Sequence, residues 1–194
     1  MIYDITQELF SGTVYPGDPT PQRTVVLDMK DGAICNLSSL SMCAHNGTHV
    51  DAPYHFLKDG ATIDQIPLEA FVGECYVAHA EGDVSGEMAA KILEKAKEQG
   101  AEKRILIAGK ATVTKEAALV FAENKLLLYG NESQTVGPLE APMEVHLIML
   151  GANIVLLEGI VLKDVPEGKY FLSAAPLNMG GCDGAPCRAL LIRK

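Results

Sequence analysis

The run His45-Asn46-Gly47-Thr48-His49-Val50-Asp51-Ala52-Pro53-Tyr54-His55 places three of the chain's five histidines within eleven residues. Imidazole and carboxylate are the ligands that Zn²⁺ and neighbouring first-row ions take, so the run reads as the core of a metal centre. That reading constrains the backbone. In an extended chain the odd-numbered His45, His49, Asp51 and His55 share one face. His49 and Asp51 would then stand about 6–7 Å apart, within reach of one ion, while His45 and His49 would be about 13 Å apart. The chain must bend between those two histidines, and Gly47 is where it can. A helix would also bring them together, but Gly47, the β-branched Thr48 and Val50, and Pro53 weigh against one. A kinked strand or loop is expected.

The chain around this run has 194 residues, enough for one domain with a sizeable core. No linker or internal repeat divides it, so residues 1–194 are expected to form a single domain. A formal charge of −9 argues against nucleic acid or an anionic membrane as the main partner. No apolar stretch approaches the roughly 18 residues of a membrane-spanning helix. Met1-Ile2-Tyr3-Asp4-Ile5-Thr6 lacks the basic-then-apolar order of a secretion signal, so a cytoplasmic location is expected. The glycosylation sequons at Asn46 and Asn131 are then accidental. The five cysteines form no CxxC pair, and the spacing of Cys182 and Cys187 matches no common zinc pattern.

The first third reads as strands and turns. Short strands are expected over residues 24–29 and 36–40, either side of Lys30-Asp31-Gly32, and again over residues 71–79. The period then changes. Ser85 can cap a helix over residues 86–98 that stops at Gly100. Residues 104–108 read as a buried strand, 114–124 as a second helix, and 126–130 as another buried strand. A third helix is expected from Pro142 to Leu150, ending at Gly151, and then a strand over residues 154–157 with Glu158 at its carboxyl end. Residues 170–174 and 188–192 close the chain as strands. This alternation predicts a mixed α/β fold with parallel pairing in the second half and a β-rich, barrel-like portion supplied by the first.

Imidazoles and one carboxylate leave room for water on an ion, as open catalytic sites do, and no cysteine intervenes in the run to suggest a closed structural site. Glu158, at a strand's carboxyl end, stands where α/β sheets place functional groups, and His146 on the preceding helix could face the same crevice. Taken singly, each of these two reads first as structural. His79 reads as a satisfied core or surface residue. Asp4, Asp18, Asp64 and Asp183 read as turn or surface carboxylates; among these Asp183, flanked by glycines, is best placed to line a site.

The run also spells His45-x-Gly47-Thr48-His49-x-Asp51-x-Pro53-x-His55-Phe56, and in this the chain resembles the cyclase family, which includes metal-dependent kynurenine formamidases and isatin hydrolases. Asp4-Ile5-Thr6, Tyr15-Pro16-Gly17-Asp18 and Asp183-Gly184-Ala185-Pro186-Cys187-Arg188 resemble that family's opening and close. The resemblance implies a swivelling β/β/α fold assembled as a homodimer or homotetramer. It implies two divalent ions per subunit, Zn²⁺ or Mn²⁺, the first on His45, His49 and Asp51. Asp51 and Glu158 would bridge to the second, which His146 completes, and His55 would be the catalytic acid/base. The implied reaction is hydrolysis of a small amide, foremost an aryl formamide. Tyr15 stands where formamidases commonly carry a tryptophan that stacks on the substrate, and this chain has no tryptophan. The segment Gly109-Lys110-Ala111-Thr112 is shorter than its counterpart in relatives, and Asn131-Glu132-Ser133 replaces a more usual aspartate-containing stretch. Two alternatives stand beside this reading: a hydrolase of a cyclic amide, imide or lactone, and a non-catalytic binding module stabilised by metal.

Overall fold

The computed structural model describes residues 1–193. In chain order its elements are β1 (Ile2–Asp4), β2 (Gln22–Leu27), β3 (Leu37–Ser41), β4 (His49–Asp51), β5 (Val72–His79), β6 (Gly82–Val84), α1 (Gly86–Glu98), β7 (Arg104–Ala108), β8 (Ala111–Val113), α2 (Lys115–Glu123), β9 (Leu128–Asn131), α3 (Met143–Gly151), β10 (Val155–Glu158), β11 (Gly168–Ser173), β12 (Gly184–Pro186) and β13 (Leu190–Ile192). Nine strands form one sheet in the order β1-β13-β11-β5-β7-β9-β10-β4-β12, which curls into a half-barrel. Its centre, β5-β7-β9-β10, is parallel as the alternation of strands and helices predicts. β11 and β4 join that centre antiparallel from opposite sides. The expected barrel-like portion is therefore this curled sheet itself. Of the early strands, only the hairpin β2–β3 stands apart from it.

The central strands are buried on both faces, as near-continuous apolar runs require. Ile105, Ile107, Tyr129 and Leu156 turn toward the helices, where Ala89, Ile92, Leu93 and Ala96 of α1 meet them. Leu106, Leu128, Val155, Leu157 and Val77 turn to the opposite face and form a second core. β4 obeys the same alternation. Val50 joins the second core, so His49 and Asp51 project to the helix side of the sheet. In register, His49 faces Glu158 and Asp51 faces Leu156. The site residues thus lie between the sheet and α3, near one end of the strand order.

Candidate metal centre

The bend expected at Gly47 is present: its φ is +65°, the left-handed region that glycine enters without steric cost. It turns His45 back over β4. Thr48, at the strand's start, donates from Oγ1 to Gly159 O at 2.6 Å and accepts from Gln7 N at 2.9 Å, tying β4 to the end of β10. After Asp51 the chain turns into a single 3-10 turn over Pro53–His55, which brings His55 beside His45 with ring centroids 4.1 Å apart. His45 fits only because position 184 on the neighbouring β12 is glycine; a Cβ there would lie 2.7 Å from His45 Cε1. So the four side chains share a site through two bends and one close approach, not through a single extended face.

All five expected ligands meet. His45 Nδ1 lies 2.8 Å from Asp51 Oδ1, and His49 Nε2 lies 3.4 Å from the same oxygen and 3.6 Å from Glu158 Oε2. His146 Nε2 lies 3.4 Å from Glu158 Oε1 and 3.8 Å from Asp51 Oδ2. Each imidazole has its outer nitrogen occupied by an acceptor. His49 Nδ1 donates to Gly47 O at 2.9 Å, His146 Nδ1 to Pro142 O at 2.8 Å, and His45 Nε2 to Asp183 Oδ2 at 2.9 Å. In a neutral ring the single N–H stays on that outer nitrogen and the inner nitrogen is free to ligate an ion; without an ion, a proton on the inner nitrogen bonds the facing carboxylates. Either way the clustered carboxylates call for a cation. Two ligands bound tetrahedrally at about 2.0–2.2 Å stand about 3.4 Å apart, so the spacing of the His49, His146 and Glu158 donors suits an ion. The donor set fits a divalent metal. It also supplies two overlapping triplets, His45-Asp51-His55 and His49-Asp51-Glu158.

The electrostatics show the same demand for positive charge, met by protons where no ion is bound. Burial would depress the His45 imidazole, but the hydrogen bonds and charges of Asp51 and Asp183 prevail and raise it to about 9. His49 and His146 are likewise raised against their burial, by Asp51 and Glu158 respectively. Burial works against ionisation of Asp51, yet His45 and His49 hold its carboxyl well below the ordinary range.

A cavity of about 240 Å³ opens onto this cluster. His55 stands on its wall, its Nδ1 3.2 Å from Asp183 Oδ2. Tyr15 lines the cavity and donates its hydroxyl to Leu139 O at 3.3 Å, while Phe56 stacks on His146 at 4.5 Å. His79 lies elsewhere, bonded to Val165 O, as read from the sequence. Four lining or supporting residues have no assigned role in the sequence reading. Asp183, the carboxylate expected there to line a site, joins His45 to His55. Asp18, read as a turn or surface carboxylate within the family-like Tyr15-Pro16-Gly17-Asp18, lines the cavity. Gln134 and Thr135 also line it, both buried, with the Gln134 amide atoms and the Thr135 hydroxyl unpartnered. The adjoining Val136 N donates to Glu158 Oε1 at 2.8 Å.

Comparison with known proteins gives three kinds of likeness. The family model described as "Putative cyclase" matches residues 3–136. A protein named kynurenine formamidase from Paracidovorax citrulli (strain AAC00-1) is 32% identical over 208 residues, covering 98% of this chain and 96% of its own. A solved structure of a potential metal-dependent hydrolase with cyclase activity superposes with a TM-score of 0.82 at 28% identity, covering 100% of this chain and 98% of its own. Isatin hydrolase A from Labrenzia aggregata shares the fold at a TM-score of 0.83 and 23% identity, over 100% of this chain and 94% of its own.

Proposed function

Because this chain belongs to the cyclase family, we propose that it is a metal-dependent hydrolase that cleaves the C–N bond of a small amide, foremost an aryl formamide. The observation that carries this reading is the convergence of three imidazole nitrogens on Asp51 and Glu158, with His55 on the cavity wall beside them. His45, His49 and Asp51 would hold one divalent ion, Zn²⁺ or Mn²⁺, and Asp51, Glu158 and His146 a second. When bound, such ions supply Lewis acidity and make hydroxide available near neutral pH.

The protein's own groups handle position and protons. Asp183, at His55 Nδ1, selects the tautomer that leaves Nε2 to exchange protons. His55 would take the proton released as water adds to the carbonyl and deliver it to the leaving nitrogen, giving a carboxylate and an amine. Tyr15 is the aromatic contact for the substrate. The cavity bounds the substrate's size. An apolar cavity of about 150 Å³ takes benzene, so about 240 Å³ takes one ring with a formamide-sized group attached.

The test pairs elemental metal analysis with turnover of aryl formamides and of cyclic amides, imides and lactones, on protein loaded with Zn²⁺ or Mn²⁺. Formamide turnover lost on chelation and restored by metal is expected. Preference for the cyclic substrates would reassign the substrate; bound metal with no turnover of any would favour the binding module. His55→Ala should keep its metal and lose about 10²–10⁴-fold in kcat. Unchanged turnover in that variant would remove His55 from the mechanism.

A further inference from the structure

Asp64 reads from the sequence as a turn or surface carboxylate, and in the fold it is exposed. It nonetheless reaches a distant loop. Its Oδ1 accepts from Gly181 N at 2.9 Å, 117 residues away along the chain. The same oxygen accepts from Thr62 Oγ1 at 2.7 Å, which fixes the carboxylate on the single 3-10 turn over Ile63–Gln65. These two donors hold the Asp64 carboxyl below its usual range, so at neutral pH it is a charged and therefore strong acceptor. Gly181 meets it in the left-handed region, at φ +78°, where a side chain would be strained.

Two residues beyond Gly181 stands Asp183, whose carboxylate joins His45 to His55. The loop that carries it rests on the stretch of chain that follows the ligand run. Ala52 N donates to Asp183 O and Ile63 N to Cys182 O, both at 2.9 Å, and the Asp64–Gly181 bond comes next in line. His55 lies on that same stretch, between Ala52 and Ile63, so these three bonds together set the distance between His55 and its partner. The His55–Asp183 bond is the longer of Asp183's two, 3.2 Å against 2.9 Å to His45, and so has the least slack before it is lost. Two of the three rungs are backbone groups that any sequence supplies. Only the third depends on a side chain.

We propose that Asp64 is a positioning residue for the metal centre: by holding Gly181 it sets Asp183 against His45 and His55. What His55 does with its proton rests on the hydrolase reading, but the positioning also acts on the ligand His45 and so can be read without turnover. A single bond from an exposed side chain contributes little to global stability, which separates positioning from a structural role.

The test is a double-mutant cycle read in two quantities: affinity for Zn²⁺ by calorimetric titration, and kcat on an aryl formamide. Asp64→Ala should lower the affinity about tenfold, the low end for partners that orient a ligand, with kcat falling by a similar factor. Its urea midpoint should match the parent's. Asp64→Asn keeps an acceptor oxygen for Gly181 N and should recover most of the loss. In an Asp183→Ala background, Asp64→Ala should cost nothing further, because its effect passes through Asp183. Asp59→Ala, which removes an equal surface charge outside the three bonds, should leave both quantities at parental values. Unchanged Zn²⁺ affinity in Asp64→Ala, a urea midpoint that falls with it, no recovery in Asp64→Asn, a full additional loss in the Asp183→Ala background, or an equal loss in Asp59→Ala would each overturn the proposal. A parent that binds Zn²⁺ but turns over no formamide would refute the hydrolase reading alone, with the affinity cycle still decisive for Asp64; a parent that binds no Zn²⁺ would overturn both.

Discussion

At the scale of single residues, one oxygen of Asp183 organises two histidines. Its Oδ2 accepts from His45 Nε2 and His55 Nδ1, and thereby decides which nitrogen each ring offers inward. Burial opposes ionisation of Asp183, but those imidazoles hold its carboxyl below the usual range. Partners that orient a ligand in this way are typically worth about 10–100-fold in metal affinity or activity. Asp183→Asn keeps the shape and removes the charge, so it should lose about that much in kcat or in metal affinity. Titration with metal and steady-state kinetics on the same preparation would show which; no change in either would reduce Asp183 to a surface carboxylate. The sequence makes the ligand run legible because its spacing alone restricts the backbone. It makes Asp183 legible only as the carboxylate best placed to line a site; that it bonds two histidines from a distant run is visible only in the fold. Gln134 and Thr135 are silent for a different reason: only burial makes an unpartnered amide or hydroxyl conspicuous.

At the scale of elements, the three helices end in the same motif with three different residues at its left-handed position. After α1, Gly100 has φ +62° and Ala101 N donates to Ala96 O; after α2, Lys125 has φ +54° and Leu126 N donates to Phe121 O. After α3, Asn153 has φ +59° and Ile154 N donates to Met149 O. Each is a Schellman cap closed by an apolar pair. Only the glycine announces itself in the sequence, which is why the end of α1 is legible. Leu126 and Ile154, read as the first residues of strands, are instead the apolar halves of the caps. β9 therefore starts at Leu128 and β10 at Val155. The caps also rank three substitutions. A left-handed lysine costs about 1–2 kcal/mol and asparagine less. Lys125→Gly should thus raise stability by about 1 kcal/mol, Asn153→Gly by a few tenths, and Gly100→Ala should lower it by about 1 kcal/mol. Urea unfolding of the three variants checks the order, and a destabilised Lys125→Gly would show that the lysine side chain contributes more than its backbone strain.

At the scale of the whole molecule, the parallel centre follows from the alternation of strands and helices, but the placement of β4 between β10 and β12 does not. Three-residue strands carry too little pattern to name distant partners. That placement is what brings an N-terminal run against Glu158 and α3, so the fold's closure and the metal centre are one construction. They should also be linked through protons. His45, held near 9, and His49 and His146, raised with it, bind protons more tightly folded than unfolded. Groups of that kind stabilise the fold fully below their unfolded value of about 6.5 and lose that contribution as pH rises through the folded value. Metal-stripped protein should therefore lose thermal stability between pH 6.5 and about 9. Metal requires the same imidazoles deprotonated, so its affinity should rise across that interval, with protons released on binding. Metal-loaded protein should then keep its Tm where the stripped protein loses it. Calorimetric titration in buffers of different ionisation enthalpy counts the released protons, and thermal melts of both forms follow the stability. Binding without proton release at pH 7, or a stripped-protein Tm that rises from pH 6.5 to 9, would show that these imidazoles are not what couples the centre to the fold.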